Sequence, residues 1–312
     1  MDRRRFLELT GLACGGLALH GCGRGSETPA GRTGTASAPA PLLPDDVQGK
    51  VFVGHGDDAA ACLEAAIEAA GGLGFIPKGA TVVLKPNAAW ARTPPQAATT
   101  DPALVAAMTR LCLKHGAGRV IVFEHTIDRP AAQVLAMTGI GRAASEAGAE
   151  VIAGSSQSDY VPLDVPRGRL MKRDTVARIV READVLINMP KAKQHSATEL
   201  TLGLKNLMGV NWNRQAWHTG PDLHQYIADY ATAVPIHLTV VDATRILLTN
   251  GPKGPGETAD PREVIVSRDP VAADAYASTL FGLKPANVAY ISRAQDLGLG
   301  VGDLTRIEVT RV

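Results

Sequence analysis

The 312-residue sequence is poor in aromatic side chains and carries almost no excess charge. Only 4% of its residues are Phe, Trp or Tyr, so it offers few surfaces on which single-stranded nucleic acid could stack. The formal net charge of +1 leaves no broad basic field for a phosphate backbone. Nucleic acid is therefore not an expected partner.

Cysteine is also scarce, and none of the four residues forms a Cys-x-x-Cys pair. An iron–sulfur cluster held by the chain's own cysteines is therefore not expected. Cys62 and Cys112 lie among alanines and leucines, which indicates small buried apolar residues. A disulfide between them stays open, because the sequence does not give their separation.

Two phosphate-binding motifs are missing as well. No Gly-x-Gly-x-x-Gly segment follows a predicted strand, and no loop ends in Gly-Lys-Ser/Thr. The sequence thus gives no sign of the common dinucleotide-binding or nucleoside-triphosphate-binding loops.

The N-terminus, by contrast, has the pattern of an export signal. Residues 3–5 are arginines, and an uncharged run from Leu9 to Leu19 follows Phe6-Leu7. Paired arginines before a short apolar run indicate the twin-arginine subclass, whose substrates are exported folded. The run is shorter than the roughly 20 residues of a membrane-spanning helix. A cytosolic amphipathic N-terminus is the alternative, but the run has no charged face.

The sequence allows two cleavage sites for this signal. Leu19-His20-Gly21-Cys22 resembles a lipoprotein cleavage box, in which Cys22 becomes the lipidated first residue. Cleavage by ordinary signal peptidase near residues 36–40 is the alternative. We favour the first, so we expect a twin-arginine signal over residues 1–21 and the twin-arginine translocation machinery as a partner. The mature protein would lie in the periplasm or cell envelope, tethered to a membrane through lipidated Cys22.

The rest of the chain divides by composition. Residues 22–46 are rich in Gly, Ser, Thr, Ala and Pro without apolar periodicity, which predicts a flexible linker. Residues 47–312 suit one large domain or two closely joined lobes. Short apolar runs alternate there with Ala-rich segments, which predicts an α/β fold with a largely parallel sheet and flanking helices.

The predicted elements follow from apolar spacing and from capping residues. Strands are predicted over residues 81–84, 119–123, 150–153, 185–188, 236–241 and 263–267. Helices are predicted over residues 59–70, 101–115, 131–147 (with a break near 139–141), 174–182 and 270–281. A further helix is predicted with Leu200, Leu204, Leu207 and Met208 on its apolar face.

Polar clusters follow several of these strands, where parallel sheets bind their ligands. The first set combines lysine, asparagine and histidine, which suit an anion and proton transfer near neutral pH: Lys85, Asn87, Lys191, Lys193, His195, Lys205 and Asn206. A surface turn with solvated lysines and a basic helix end are the alternative interpretations.

A second set has side chains that are compatible with a divalent metal. Its members are His218, Asp222, His224, Asp242 and Asp269. Their spacing matches no zinc signature, and Asp222 and Asp269 also fit helix N-caps. Asp274 lies amid apolar residues of the last predicted helix, where it could pair with one of the lysines.

Together these segments resemble the family named domain of unknown function 362. The match comprises residues 84–87, 100–102, 188–196, 204–209, 241–243, 251–252 and 267–274. The resemblance implies that the lysines, asparagines, His195 and the aspartates form one site. Many relatives carry ferredoxin-like cysteine segments; this chain lacks them, so electron transfer through a cluster of its own is not expected.

Three classes of function stay open, and whether the protein is an enzyme is one of the open questions. The first is an exported enzyme for a small anionic or carbonyl-bearing substrate, with catalytic His195, Lys193 and Asp274. The anion would be bound by Lys85, Asn87, Lys191, Lys205 and Asn206. The second is a metal- or cofactor-binding protein without turnover, and the third is a tethered cell-envelope accessory module. The first is favoured, because a cluster of lysines with a histidine suits the binding of an anion better than it suits a flat surface that recognises another protein.

Overall fold

A computed structural model describes residues 42–312. The predicted export signal, Cys22 and the linker up to residue 41 lie outside the described residues. The last residues of the predicted linker contact the domain, because the backbone N–H of Leu42 donates to the carbonyl oxygen of Gly298 at 2.8 Å. In the described part of the chain, no helix is both long and apolar enough to cross a membrane.

The domain alternates strands with helices, as the sequence pattern predicts. The strands are β1 (Lys50–His55), β2 (Thr81–Pro86), β3 (Arg119–Glu124), β4 (Glu150–Ala153), β5 (Tyr160–Asp164), β6 (Arg173–Ala177), β7 (Val185–Met189), β8 (Lys191–His195), β9 (Glu199–Thr201), β10 (Leu238–Leu247), β11 (Thr258–Ala259), β12 (Glu263–Ser267) and β13 (Glu308–Arg311). The helices are α1 (Ala59–Ala69), α2 (Pro102–Lys114), α3 (Ala131–Met137), α4 (Ile140–Glu146), α5 (Arg178–Arg181), α6 (Gly203–Asn206), α7 (Arg214–Thr219), α8 (Leu223–Ala231), α9 (Pro270–Thr279) and α10 (Ala289–Asp296).

Most of these strands form one sheet, in the order β13-β1-β12-β10-β7-β2-β3-β4. The run from β10 to β4 is parallel throughout, whereas β12 is antiparallel to both of its neighbours. Strand β8 continues beyond β7, pairs with β10 and carries the short strand β9. The predicted α/β fold with a largely parallel sheet is confirmed.

Both faces of the sheet are buried, as expected for a mostly parallel sheet. Side chains alternate along β2, so that Val83 packs with one core and Val82 and Leu84 with the other. Helices α1, α2 and α4 cover one face, while α8, α9 and α10 cover the opposite face. Cys62 and Cys112 are buried free thiols on the first of these faces.

Two predicted helices are wrong. Asp174 lies in strand β6, which pairs with β5, and only residues 178–181 of the predicted segment are helical. Leu200 lies in strand β9, and the segment after it is the single-turn helix α6 followed by a 3-10 turn. In both places apolar residues are spaced as on a helix, but a strand and a turn bury them instead. The spacing alone does not distinguish these two structures.

The order of the strands identifies where a ligand site is expected. The chain leaves β2 toward β3 and β4, and then returns to place β7 on the other side of β2. Such a reversal opens a crevice at the carboxyl ends of the two central strands. Lys85 and Asn188 are partners in register at those ends.

Candidate functional site

A polar cleft of about 390 Å³ lies at this crevice. Six of the residues predicted to bind an anion or to act in catalysis line it: Lys85, Asn87, Lys193, His195, Lys205 and Asn206. His218, which was assigned to a metal site, also lines it. The structure therefore gathers residues from β2, β8, α6 and α7 around one opening.

Three asparagines connect the strands that form the floor of the cleft. The side-chain amide of Asn206 donates to Oδ1 of Asn188 at 2.9 Å and to the carbonyl oxygen of Lys85 at 3.1 Å. Its own Oδ1 accepts from the amide of Asn87 at 2.9 Å. These bonds fix α6 against the ends of β2 and β7, which positions Lys205 beside the cleft.

Lys85 is neutralised by a carboxylate that the sequence argument did not single out. Its Nζ lies 2.9 Å from Oε1 of Glu124, and both side chains are almost fully buried. Burial lowers the pKa of Lys85, and the carboxylate of Glu124 raises it by a smaller amount, so the pKa stays below its ordinary value. Gly209 packs against the pair, since a Cβ atom there would lie 2.7 Å from the Nζ of Lys85. Lys85 is thus part of the wall of the cleft and not a free cation.

Lys193 is held differently, by two neutral acceptors. Its Nζ donates to Oδ1 of Asn87 at 2.9 Å and to the carbonyl oxygen of Ala98 at 2.5 Å. Burial first, and then the charge of Lys205, lower the pKa of Lys193 to about 7. Two of the three ammonium hydrogens are used inside the protein, which leaves the third for a ligand.

Lys205 has the least satisfied amine of the cleft. Its side chain is 7% exposed, and the only partner of its Nζ within residues 42–312 is the thioether sulfur of Met208 at 3.3 Å. A thioether is a weak acceptor, so a buried ammonium at this position is costly. Burial and the nearby charge of Arg214 lower the pKa of Lys205 to about 7, so a large fraction of the amine is neutral at physiological pH.

His195 is a neutral imidazole in a defined tautomer. Its Nδ1 accepts from the backbone N–H of Ala197 at 3.0 Å, so Nε2 carries the hydrogen. Burial first, then the charges of Lys205 and Lys193, lower its pKa to about 2. His218 lies nearby with its ring nearly parallel to that of His195, at a centroid distance of 6.4 Å. The pair therefore offers hydrogen bonds and not positive charge at neutral pH.

The charge of the cleft is unbalanced. Lys85, Lys193, Lys205 and Arg214 line it, but its only carboxylate among the described residues is Glu124, which is bound to Lys85. Thr201 adds a buried hydroxyl without a hydrogen-bond partner in the described structure. Unpaired buried cations and an unpaired hydroxyl both favour an anionic ligand that can accept several hydrogen bonds.

Lys191, predicted to bind the same anion, lies outside the cleft. Its Nζ makes an ion pair with Oδ2 of Asp242 at 2.8 Å, and both side chains are buried. The same carboxylate accepts from the backbone N–H of Asp101 and from the hydroxyl of Thr244. Lys191 and Asp242 therefore join β8, β10 and the start of α2 instead of facing a ligand.

Asp274, predicted to be catalytic, lies behind the cleft. It is fully buried, and its two oxygens accept from the backbone N–H groups of Gly203 and Leu204 at 2.7 and 2.9 Å. Burial raises its pKa to about 7. Its contacts cap helix α6 and thereby position Lys205 and Asn206.

The remaining predicted metal ligands are dispersed. Asp222 caps α8 and pairs with Arg293, while Nε2 of His224 lies 3.8 Å from Oε2 of Glu199. Asp269 accepts four backbone N–H groups around the start of α9, including those of Gly49 and Val301. Across residues 42–312, no three His, Cys, Asp or Glu side chains are placed to hold a metal ion. The structure thus does not assemble the predicted set.

Two charged residues of the cleft were missed by the sequence argument. Glu124 is the last residue of β3, and Lys85 lies one residue before the end of β2, so the strand-end rule could have found Glu124 as well. Arg214 follows a turn and begins α7, and nothing in its local sequence indicates a site. A larger cavity of about 520 Å³ lies elsewhere, but its lining is mostly apolar, and Arg181 is its one charged residue among those described.

Two sequence comparisons find proteins that are similar to this chain. The family profile described as "Domain of unknown function (DUF362)" matches residues 82–279, more than half of the chain. The thylakoid-associated protein sll1697 of Synechocystis sp. (strain ATCC 27184 / PCC 6803 / Kazusa) is 29% identical over an alignment of 265 residues, which covers 77% of this chain and 75% of that protein.

Two solved structures are also similar. The lactate racemase apoprotein of Thermoanaerobacterium thermosaccharolyticum has a TM-score of 0.51 and 10% identity, over 81% of this chain and 62% of that chain. A structural-genomics protein of Thermotoga maritima has a TM-score of 0.45 and 12% identity, over 73% of this chain and 60% of that chain. The chain therefore spans less than two thirds of the length of either structure, and at 10% identity the racemase shares the fold alone.

Proposed function

The chain belongs to the family described as domain of unknown function (DUF362), and we propose that its cleft is an enzyme active site that binds a small carboxylate. In this proposal the enzyme moves a proton at the carbon next to a carbonyl group of that substrate. The roles of the residues follow from their partners and their charges.

The Lys205 amine supports this function most directly. It is buried in the cleft, and within the described residues it has only the Met208 sulfur as a partner. With a pKa of about 7, a large fraction of this amine carries a free electron pair at neutral pH. An amine in that state is suited to general base catalysis, because its pKa is close to the operating pH.

Lys193 is assigned to the carboxylate of the substrate. Its two hydrogen bonds to carbonyl oxygens hold the Nζ atom in place, and one hydrogen is left for an anion. Carboxylates bind buried ammonium groups through short charge-assisted hydrogen bonds. The binding of an anion also stabilises the protonated form of Lys193. Lys193 is then charged in the complex, whereas Lys205 acts as the neutral amine.

His195 is assigned to the carbonyl oxygen of the substrate. His195 lines the cleft, and its Nε2 carries the hydrogen because Nδ1 already accepts from Ala197. When Lys205 takes a proton from the adjacent carbon, negative charge develops on that carbonyl oxygen, and a hydrogen-bond donor stabilises it. The proton then returns from Lys205 to the same carbon, or to its other face, and the base is regenerated.

The shared fold is consistent with this substrate class. The lactate racemase of the comparison acts, by its name, on lactate, which is itself a small carboxylate. At this low identity the likeness concerns the fold alone. The proposal of an anionic substrate therefore rests on the lysines of this chain.

The test uses the purified full-length protein with pyruvate in deuterated water. Isothermal titration calorimetry measures binding, and proton NMR measures the loss of the methyl signal as deuterium replaces hydrogen. We expect binding together with exchange above the protein-free rate. Lys205→Met should reduce the exchange rate by on the order of 100-fold, because it removes the base but keeps a long side chain.

The matched control is Lys114→Met in the last turn of α2, where the lysine is exposed and away from the cleft. This variant should exchange at the wild-type rate. Binding of pyruvate without exchange would show a binding protein and not an enzyme of this class. Failure of pyruvate and other small 2-oxo carboxylates to bind at all would reject the site itself.

A further inference from the structure

A second cavity of about 390 Å³ adjoins the cleft at Arg214. The two cavities share four lining residues: Ile127, Arg214, Gln215 and His218. A longer ligand that is bound at Lys193 would therefore extend toward the second cavity on the side of Arg214. The second cavity adds His125, Thr126, Arg129 and Trp212 to the lining.

Two stacked rings line the second cavity. The rings of His125 and Trp212 are stacked at a centroid distance of 5.2 Å and an angle of 2°. Nδ1 of His125 lies 3.0 Å from the carbonyl oxygen of Asn211, to which it donates, so the imidazole is fixed in one tautomer. This surface, together with the exposed side chain of Ile127, offers apolar contact to a short carbon chain.

The polar groups of this cavity favour an anion. Thr126 is 1% exposed, and its hydroxyl has no hydrogen-bond partner within residues 42–312. Arg129 makes no ion pair in the described structure, and its closest polar contact is Nε2 of His125 at 3.5 Å. Within residues 42–312, the guanidinium of Arg214 donates to the carbonyl oxygens of His125 and Thr126, at 2.6 and 3.0 Å, and it makes no ion pair with a carboxylate.

We propose that this second cavity is a subsite for a second anionic group of the substrate. The substrate then has two anionic groups joined by a short carbon chain, as in a dicarboxylate or a phosphorylated carboxylate. Such a ligand is called a dianion below, for its two anionic groups. One end binds at Lys193, and the other is bound by Arg129, Arg214 and the Thr126 hydroxyl. This inference rests on the proposed function, because it extends the same ligand.

The experiment compares one anionic group with two by isothermal titration calorimetry on the full-length protein. Pyruvate is the monoanion, 2-oxoglutarate and 2-oxoadipate are dicarboxylates of increasing length, and phosphonopyruvate carries a phosphonate at its second end. At least one dianion should bind on the order of tenfold more tightly than pyruvate, since a charge-assisted bond at the second end adds to the affinity. Whether a dicarboxylate or the phosphonate gains more identifies the second group.

Two variants test the residues of the subsite. Arg129→Gln should remove most of the gain of the dianion and leave the affinity for pyruvate unchanged. Thr126→Val keeps the shape of the side chain and should remove a smaller part of the same gain. Arg142→Gln on α4, whose side chain is 81% exposed, is the matched control and should change neither affinity.

The inference is overturned if no dianion binds more tightly than pyruvate, or if Arg129→Gln weakens pyruvate and the dianions equally. In the first case pyruvate still binds and exchanges, so the proposed function stands while the second subsite fails. If neither pyruvate nor any dianion binds, both fail together, and that result is distinct from the loss of the second subsite alone.

Discussion

The Nζ atom of Lys85 lies 2.9 Å from Oε1 of Glu124, and the two side chains are buried together at the ends of β2 and β3. The same carboxylate accepts the backbone N–H groups of Ala88 and His125. One acidic residue therefore neutralises a lysine and fixes the two turns that lead into the cleft.

Removing this carboxylate should be strongly destabilising. Glu124→Gln leaves the Lys85 ammonium buried without a counter-charge, which costs about 3–5 kcal/mol of unfolding free energy. Lys85→Met in the same chain should recover much of that loss, because it removes the orphaned charge. Urea unfolding of the two single variants and the double variant gives the coupling, and purely additive losses would contradict a direct pair.

The ion pair of Lys191 with Asp242 should affect stability but not ligand affinity. Asp242→Asn weakens a buried pair and should lower the unfolding free energy by several kcal/mol. Because Lys191 lies outside the cleft, the folded fraction should bind pyruvate as the wild type does. Calorimetry below the unfolding midpoint measures the affinity of the variant for pyruvate. A tenfold weaker affinity would indicate that Lys191 takes part in the ligand site.

Asp274 should make stability depend on pH. Burial raises its pKa in the folded protein to about 7, from an ordinary value of 3.8. Between these two values the folded state binds more protons than the unfolded state, so the contribution of Asp274 to stability falls as pH rises through this window. Asp274→Asn should flatten that part of the profile of unfolding free energy between pH 4 and pH 7, and an unchanged slope would rule this linkage out.

The pH dependence of exchange should come from lysine and not from histidine. Lys205 acts as a free amine, and its pKa is about 7 in the protein without a ligand. The bound carboxylate favours the charged amine, so the exchange rate at saturating pyruvate should rise with pH from about pH 7 upward and then level off. Pyruvate affinity should fall over the same range, because Lys193, also with a pKa of about 7, loses its proton.

His195, with a pKa of about 2, should contribute no inflection between pH 5 and pH 9. The variant His195→Gln keeps a hydrogen-bond donor, so it should lower the exchange rate at every pH and leave the shape of the profile unchanged. A new inflection, or the loss of the one near pH 7, would assign the proton transfer to His195.

Local sequence was sufficient for the framework of the site. Alternating apolar runs predicted the sheet, and Lys85, Asn87 and His195 could be placed at strand ends because parallel strands share one ligand-binding edge. Asp222 and Asp269 cap helices in the structure as they do in the prediction. Such features depend on neighbours within a few positions in the chain.

The partners of each charge could not be found in this way. Asp242 and Asp274 have the same residue type and similar surroundings in the sequence, yet one neutralises Lys191 and the other caps α6. Arg214 reaches the cleft only because α7 packs beside the turn that holds His125. The sequence alone therefore determined an α/β domain with lysines, asparagines and a histidine at its strand ends. Only the tertiary structure decided which lysines are neutralised and which face a ligand, because pairing and desolvation depend on residues that are distant along the chain.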